Sequence, residues 1–78
     1  MYNFSTAMLK VKLGEKMTRK SWNGKGQYIE LGYDVRCTNM HGEEVSCDQV
    51  IVFHGTSGVQ IGWLASQGDM LANDWVEA

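Results

Sequence analysis

The segment FSTAMLKVKLGEKMTRKSWNGKGQYIEL, residues 4–31, decides the fold, because its hydrophobic period changes partway along. Its first part places apolar residues at the spacings i, i+3, i+4 and i+7, at Phe4, Ala7, Met8 and Val11. This spacing is typical of one face of a helix. Ser5 is a suitable N-cap, and Gly14 stands where helices commonly place a left-handed glycine after the last turn. The segment therefore predicts a helix over residues 6–13.

Beyond this helix the pattern becomes that of β-strands. KMTRKSW leads into Asn23-Gly24, a pair that favours the two-residue turn of a hairpin, and QYIEL follows with several β-forming residues. Three further strand segments, DVRCT, EVSCDQVIVF and VQIGWL, are separated by the short turns NMHGE and HGTSG. Such short connections indicate consecutive antiparallel strands. In the hairpin around NMHGE, Cys37 is expected opposite Ser46 or Cys47.

The pattern changes again near the end of the chain. Ser66 and Asp69 form a pair like a capping box, with a hydroxyl at the N-cap and a carboxylate three residues later. QGDMLA, residues 67–72, is therefore predicted to be a short helix, and DWVEA, residues 74–78, a final strand or an extended tail. Together the patterns predict one α+β domain over residues 1–78: an N-terminal helix packed on an antiparallel β-sheet of consecutive hairpins, with a short second helix near the C-terminus.

A chain of 78 residues buries only about 60–65% of the surface of its unfolded form, so a further source of stability is expected. Its cysteines, Cys37 and Cys47, and its histidines, His41 and His54, show no paired ligand spacing, so we expect no metal and no cofactor. No apolar segment of a signal peptide follows Met1, which favours a reducing cytosol without a structural disulfide. The run VIVF is too short to span a membrane. Self-association is therefore the favoured support.

The charged residues are unevenly distributed. Residues 1–26 carry six basic residues and one acidic residue, a net charge of +5, whereas residues 27–78 carry one basic and eight acidic residues, a net charge of −7. The two segments form either solvated faces that attract each other, within or between subunits, or a local positive field for an anion. The acidic segment would repel nucleic-acid phosphates, so no DNA or RNA partner is expected.

No pattern in the sequence indicates catalysis. His41 and His54 are predicted to lie in hairpin turns, and neither has the partner that would orient it as a base. Neither cysteine has a neighbouring cation or helix N-terminus to activate its thiol. The segment GKGQY lacks the glycine spacing of a phosphate loop. The chain is therefore predicted not to be an enzyme.

Aromatic residues with polar neighbours point instead to binding. A small-molecule site needs aromatic surface and a few polar groups, and four residues are candidates for that surface: Trp22, Tyr28, Trp63 and Trp75. The alternative for each is that it fills the core, because aromatic residues supply the most buried area per residue. We expect this alternative to hold for Trp75.

Two blocks of the sequence resemble a known family, the second type of Thoeris anti-defence protein. Residues 4–31 are similar to its opening: a helix that begins F-S-x-A, a basic segment, W-N-G-K-G and an aromatic strand. WLASQGDMLANDWVEA, residues 63–78, resembles its ending, W-L-A-S-Q-x-D-M-L-A-x-D-W. The two blocks cover 44 of the 78 residues in the right order. Residues 32–62 depart from the family pattern, with a shorter hairpin in place of a longer, proline-bearing insertion.

The resemblance implies a phage protein that acts in the cytoplasm of the bacterial host. Members of the family bind a cyclic ADP-ribose-type second messenger of Thoeris immunity and hold it without cleaving it, so the effector is not activated. Some members bind cyclic dinucleotides of CBASS-type immunity, and members form homotetramers with ligand sites near subunit contacts. The matching positions imply a ligand-binding site at Trp22, Asn23, Gly24, Lys25, Trp63, Ser66, Gln67 and Asp69.

The resemblance also suggests a role for several of these residues. Trp22 is expected to pack on a base or ribose, Asn23 to form hydrogen bonds, and Lys25 to supply charge. Ser66 and Gln67 are expected at a helix N-terminus, where they would meet a phosphate. A protein–protein interaction module, an ADP-ribose hydrolase and a single-stranded RNA binder are the rival interpretations, and no membrane partner is expected.

Overall fold

The computed structural model describes residues 1–22 and 26–78, with their side chains except those of residues 34–37 and 46–48. Two helices and five strands follow one another along the described chain: α1, Phe4–Lys12; β1, Met17–Arg19; β2, Tyr28–Thr38; β3, Glu44–Gly55; β4, Gly58–Ile61; α2, Gln67–Leu71; and β5, Trp75–Glu77. All paired strands are antiparallel, and they form one sheet in the order β4-β3-β2-β1-β5. The predicted α+β fold is confirmed.

Helix α1 begins two residues earlier than the sequence predicted. Its N-cap is Asn3, whose Oδ1 accepts a hydrogen bond of 2.9 Å from the backbone N–H of Thr6, so the prediction of Ser5 as N-cap is wrong. Asparagine and serine are about equally good N-caps, which is why the sequence did not separate them. The earlier start brings Phe4 into the first turn, where its ring centroid lies 5.9 Å from that of Trp75.

The C-terminus of α1 has the predicted glycine. Gly14 adopts φ +94°, and its N–H donates to the carbonyl of Val11 at 3.0 Å. The N–H of Glu15 donates to the carbonyl of Lys10, also at 3.0 Å. This pair of bonds is a Schellman motif, which satisfies carbonyls that a helix end leaves without partners. The chain reverses here and enters β1.

The core lies between α1 and one face of the sheet. Its fully buried apolar residues come from α1, β1, β2 and β5, and they are Ala7, Val11, Met17, Ile29 and Trp75. We call this face of the sheet the covered face. Successive strand residues alternate between faces, so the neighbours of these buried residues define the other side, which we call the open face. It carries Thr18, Tyr28, Glu30, Val52, His54 and Val76.

The hairpin of β2 and β3 has a different register from the one expected. Thr38 is opposite Glu44 across the turn, and this places Cys37 opposite Val45. The prediction that Cys37 lies opposite Ser46 or Cys47 is therefore wrong, because the register depends on the length of the turn, which the sequence left open.

His54 lies in a strand and not in a turn as predicted. It belongs to β3, where it is opposite Tyr28. The turn after β3 contains only the two residues between Gly55 and Gly58, so β3 extends beyond the apolar run that suggested its end. His41 does lie in the turn between β2 and β3.

Residues 20–27 connect β1 to β2, a longer connection than the two-residue turn predicted at Asn23-Gly24. Asn23, Gly24 and Lys25 lie outside the described residues. The described part of the connection opens with a turn in which the N–H of Trp22 donates to the carbonyl of Arg19 at 3.2 Å. This turn brings Trp22 against the core.

The two edges of the sheet differ. At the β5 edge, Tyr2 and Trp75 exchange two backbone hydrogen bonds of 2.8 and 3.1 Å, so the N-terminal segment covers part of that edge. At the other edge, all four residues of β4 are exposed. Neither helix in the described part of the chain has the length and apolar character needed to cross a membrane.

Candidate functional site

Trp22 lies at the centre of a cluster of aromatic rings. Its ring is nearly perpendicular to those of Phe53, Trp63 and Trp75, with centroid distances of 5.5, 6.3 and 5.3 Å. Edge-to-face contacts of this kind are favourable beyond the area that they bury. Trp75 is fully buried, which confirms its assignment to the core. Trp22, Phe53 and Trp63 are only partly buried and still offer ring surface.

A narrow slot lies among the partly buried rings. Phe53 and Trp63 are nearly parallel, with an interplanar angle of 20° and centroids 6.5 Å apart, and Trp22 stands across them. The slot has a volume of about 160 Å³, and Gln27 and Asp69 complete its lining. The slot therefore offers a planar group the aromatic surface of these rings.

A bulge after β4 places Trp63 in the slot. The N–H groups of Gly62 and Trp63 both donate to the carbonyl of Ile51, at 3.0 and 2.9 Å, and Gly62 adopts φ +85°. Two donors on one carbonyl mark an extra residue in the strand pairing. Regular alternation would put Trp63 on the same side as Ile61, the open face. The extra residue therefore transfers Trp63 to the covered face, beside Phe53.

Asp69 is the polar residue on which this site is built. Its Oδ1 accepts hydrogen bonds from Arg19 Nη1 at 2.8 Å and from Trp22 Nε1 at 3.3 Å. Its Oδ2 accepts bonds from the N–H and the hydroxyl of Ser66, at 3.1 and 2.9 Å. Burial alone would raise the pKa of this carboxyl, but the bonds from Arg19, Ser66 and Trp22 outweigh burial and hold the pKa below its usual value. Asp69 is therefore ionised at neutral pH and fixes the indole of Trp22.

Arg19 joins β1 to both C-terminal elements. Besides Asp69, its guanidinium contacts Asp74, with 2.9 Å between Nε and Oδ1. The second oxygen of Asp74 accepts the backbone N–H of Ser21 at 3.0 Å. The bond from Arg19 is the main reason that the pKa of Asp74 is lowered to about 2. Two carboxylates thus balance the charge of Arg19, which makes it a structural cation.

A wider cavity adjoins the slot, with a volume of about 550 Å³. It is lined by Lys16, Thr18, Arg19, Trp22, Gly26, Gln27, Tyr28 and Ala78. Trp22 and Gln27 line both the cavity and the slot, so the two form one recess. Lys16 brings a cation to the cavity, with its Nζ 5.0 Å from the ring centroid of Tyr28. The cavity has the size that is usual for small-molecule sites.

Three of the eight residues predicted for the site meet in the slot: Trp22, Trp63 and Asp69. Asn23, Gly24 and Lys25 lie outside the described residues. They belong to the connection between Trp22 and Gly26, and these two residues both line the cavity.

The last two predicted site residues, Ser66 and Gln67, lie at the N-terminus of α2. Ser66 is the N-cap, and its hydroxyl accepts the N–H of Asp69 at 3.1 Å, so the predicted capping box is confirmed. The carboxylate of Asp69 already occupies this helix end as an anion. Gln67 is exposed and is not among the residues that line the slot or the cavity. Contact of either residue with a phosphate stays a prediction.

Sequence reasoning missed several residues of the recess. Phe53 ends an apolar run that reads as core, and Gln27 carries no motif. Lys16 and Arg19 lie in the basic segment and both line the cavity, but nothing local to them indicated that Arg19 is also paired with two carboxylates. Tyr28 was a candidate by its aromatic character, and it does line the cavity.

Comparison with known proteins gives the family. The model of the Tad2-like family, described as the Thoeris anti-defense 2-like domain, matches residues 2–78. The match includes residues 32–62, the part in which the resemblance was weakest. A search of curated proteins found no match. The chain therefore belongs to the Thoeris anti-defense 2-like domain family, and so to the proteins with which phages counter bacterial defence.

Proposed function

We propose that this protein binds a cyclic ADP-ribose-type second messenger of Thoeris immunity and sequesters it without cleavage, in the cytoplasm of the bacterial host. Membership of the family supports the anti-defence role. The observation that carries the choice of a nucleotide is the recess itself, in which an aromatic slot opens beside a larger cavity that contains a lysine and a few other polar side chains. Sequestration deprives the Thoeris effector of its signal.

The recess suits a ligand with one purine and a polar remainder. The slot, at about 160 Å³, is too small for a whole nucleotide but takes one planar ring system. Stacking of a base on aromatic side chains contributes about 1–3 kcal/mol. The riboses and the phosphates then lie in the cavity of about 550 Å³, where Thr18, Gln27 and Lys16 supply polar groups. Lys16 is the cation that we assign to the phosphates.

Binding without turnover is consistent with the lining of the recess. Hydrolysis of a glycosidic or phosphoanhydride bond needs an acid, a base or a bound metal that is placed at the reacting atom. The described lining of the slot and the cavity contains no histidine or cysteine, and its one acidic side chain is Asp69. Both oxygens of Asp69 are already engaged by Arg19, Trp22 and Ser66.

The single slot favours a cyclic ADP-ribose over a cyclic dinucleotide. A cyclic dinucleotide carries two bases, whereas the described residues form one slot with aromatic walls. We therefore assign the cyclic dinucleotides of CBASS-type immunity to second place. We also propose that the protein is a homotetramer, which supplies the extra burial that a chain of 78 residues needs.

Calorimetric titration with cyclic ADP-ribose isomers and with cyclic dinucleotides tests the proposal. We expect heat with at least one isomer, and a loss of affinity for Trp22→Ala between about five-fold and more than a hundred-fold, because stacking of about 1–3 kcal/mol disappears. Met40→Ala is the matched control, since Met40 is 94% exposed in the turn between β2 and β3. Binding of a cyclic dinucleotide alone would move the assignment to that class, and no heat with either class would contradict sequestration.

A further inference from the structure

Four side chains from neighbouring segments meet on the open face of the sheet beside the cavity: Lys16, Tyr28, Glu30 and His54. Lys16 directly precedes Met17, which lies on the covered face, so alternation places the lysine on the open side. Lys16 and Tyr28 line the cavity, whereas Glu30 and His54 are not among its lining residues. The contacts among the four determine where the ammonium group of Lys16 lies.

The strand register makes Glu30 the cross-strand neighbour of Lys16. Met17 is opposite Ile29 in the antiparallel pair of β1 and β2. One step along each strand, in opposite directions, places Lys16 opposite Glu30. Residues of opposite charge in this relation attract each other across a sheet. The register therefore favours an ion pair between Lys16 and Glu30.

The side chains of the structure make different contacts. Nε2 of His54 contacts Oε2 of Glu30, and because a carboxylate can only accept, the imidazole N–H donates. These two side chains are 27% and 31% exposed, so water competes with their contact only in part. Nζ of Lys16 lies instead over the ring of Tyr28, 5.0 Å from its centroid, which is within the range of a cation–π contact. His54 thus engages the carboxylate that would otherwise attract Lys16.

His54 also supports the ring over which Lys16 lies. Its imidazole stacks on Tyr28 with 4.3 Å between the centroids and an interplanar angle of 17°. In the sheet, β2 lies between β1 and β3, so Lys16 reaches the ring from one side and His54 from the other. The ring of Tyr28 is therefore held between a cation and an imidazole. This arrangement keeps the ammonium group at the wall of the cavity.

We propose that His54 is a positioning residue for the anion-binding lysine of the recess. It holds the carboxylate of Glu30 and supports the ring of Tyr28, so that Lys16 is available to a phosphate group of the ligand. This inference rests on the proposed function, which assigns Lys16 to the phosphates of a nucleotide. It adds a residue outside the lining of the recess on which the affinity for that nucleotide depends.

The consequence of removing His54 follows from the charges. The carboxylate of Glu30 then becomes free to pair with Lys16, and a phosphate must break that pair before it can bind. An exposed ion pair is weak, which corresponds to a change in affinity of up to about five-fold. Salt screens exposed charges, so the change should be largest at low ionic strength.

Calorimetric titration at an ionic strength of about 0.02 M tests the inference, with the cyclic ADP-ribose isomer that binds the wild type most tightly. We expect His54→Leu to bind it about two- to five-fold more weakly. Adding Glu30→Gln should restore the affinity, because the amide keeps the volume of the side chain but removes the competing charge. His41→Leu is the matched control, since His41 is exposed in the turn between β2 and β3 and its replacement should leave the affinity unchanged.

A second comparison separates positioning from a general loss of structure. Lys16→Met should weaken binding by itself, and His54→Leu should then cause no further loss, because the group through which it acts is gone. A loss of structure would instead weaken binding in both backgrounds. Circular dichroism verifies the fold of each variant, and His54→Val, which places a β-forming residue in β3, replaces His54→Leu if that variant is unfolded.

Two results would overturn the inference and leave the proposed function standing. One is wild-type affinity for His54→Leu, and the other is a loss of affinity that Glu30→Gln does not restore. If the wild type gives no heat with any nucleotide, sequestration is contradicted and the role of His54 falls with it.

Discussion

Replacing Asp69 by alanine removes the acceptor that holds the slot together. Four donors converge on its carboxylate: Arg19 Nη1, Trp22 Nε1, and the N–H and hydroxyl of Ser66. The side chains of Asp69 and Arg19 are only 12% and 18% exposed, so water replaces these bonds poorly. The substitution should therefore lower the free energy of unfolding and release the indole of Trp22.

The magnitude follows from the separate losses. Loss of one partner of a largely buried ion pair costs about 3–5 kcal/mol, and the lower end applies here because Asp74 still pairs with Arg19. A lost helix cap alone costs about 1 kcal/mol. We expect Asp69→Ala to lower the free energy of unfolding by about 3–4 kcal/mol, and Ser66→Ala by about 1 kcal/mol. Asp69→Asn should lie between them, at about 2 kcal/mol, because the amide keeps the volume and one acceptor but loses the charge.

Urea unfolding at pH 7, followed by tryptophan fluorescence, measures these differences. All variants must be compared at one protein concentration, because the proposed self-association would contribute to the apparent stability. The order Asp69→Ala, Asp69→Asn, Ser66→Ala, from most to least destabilised, is the expected result. A loss below about 1 kcal/mol for Asp69→Ala would refute the reasoning, since the four bonds would then contribute no more than a cap.

Three further predictions concern acid stability, the bulge and the slot. The pKa of Asp74 is about 2, against 3.8 for the free group, so this residue contributes at most about 2 kcal/mol of stability, which is present above pH 4 and is lost as the pH falls to about 2. The Asp74→Asn variant should therefore lose less stability than the wild type over this pH range, as measured by unfolding curves. An equal loss in both proteins would contradict the assignment. Gly62→Ala places an alanine at φ +85°, which should lower the stability of the protein by about 1–2 kcal/mol. The change should also weaken nucleotide binding, because it displaces Trp63. A thermal unfolding temperature equal to that of the wild type would argue against the bulge. Trp22→Phe keeps an aromatic ring in the slot but loses the hydrogen bond from Trp22 to Asp69. Calorimetry should therefore show that this variant binds the nucleotide more weakly than the wild type and more tightly than Trp22→Ala. Equal affinities for Trp22→Phe and Trp22→Ala would count against stacking.

Local features of the fold could be predicted from the sequence because their signals lie within a few residues. The capping box of Ser66 and Asp69 and the left-handed Gly14 each depend on contacts between neighbours in the chain. The turn between β2 and β3 was located correctly for the same reason. Where two local signals were equivalent, as for Asn3 and Ser5, the sequence could not choose between them.

The site could be predicted only in part, because contacts between distant residues build it. Trp22 and Asp69 are 47 residues apart, and Arg19 and Asp69 are 50 apart. The resemblance pointed to the two tryptophans of the slot and to Asp69. It did not indicate that the carboxylate of Asp69 forms its hydrogen bonds with other residues of the protein. Phe53 enters the slot because the register of β3 places it on the covered face, and that register follows from pairing across the whole hairpin.

The central claim is that the protein holds its messenger intact. The direct measurement begins by saturating the protein with the cyclic ADP-ribose isomer that binds best and removing free ligand by filtration. The complex is then denatured, and the released molecule is identified by mass spectrometry. Sequestration predicts the unaltered cyclic nucleotide in a fixed stoichiometric ratio to protein, independent of incubation time. Release of linear ADP-ribose, in an amount that grows with time, would contradict the account and make the protein an enzyme.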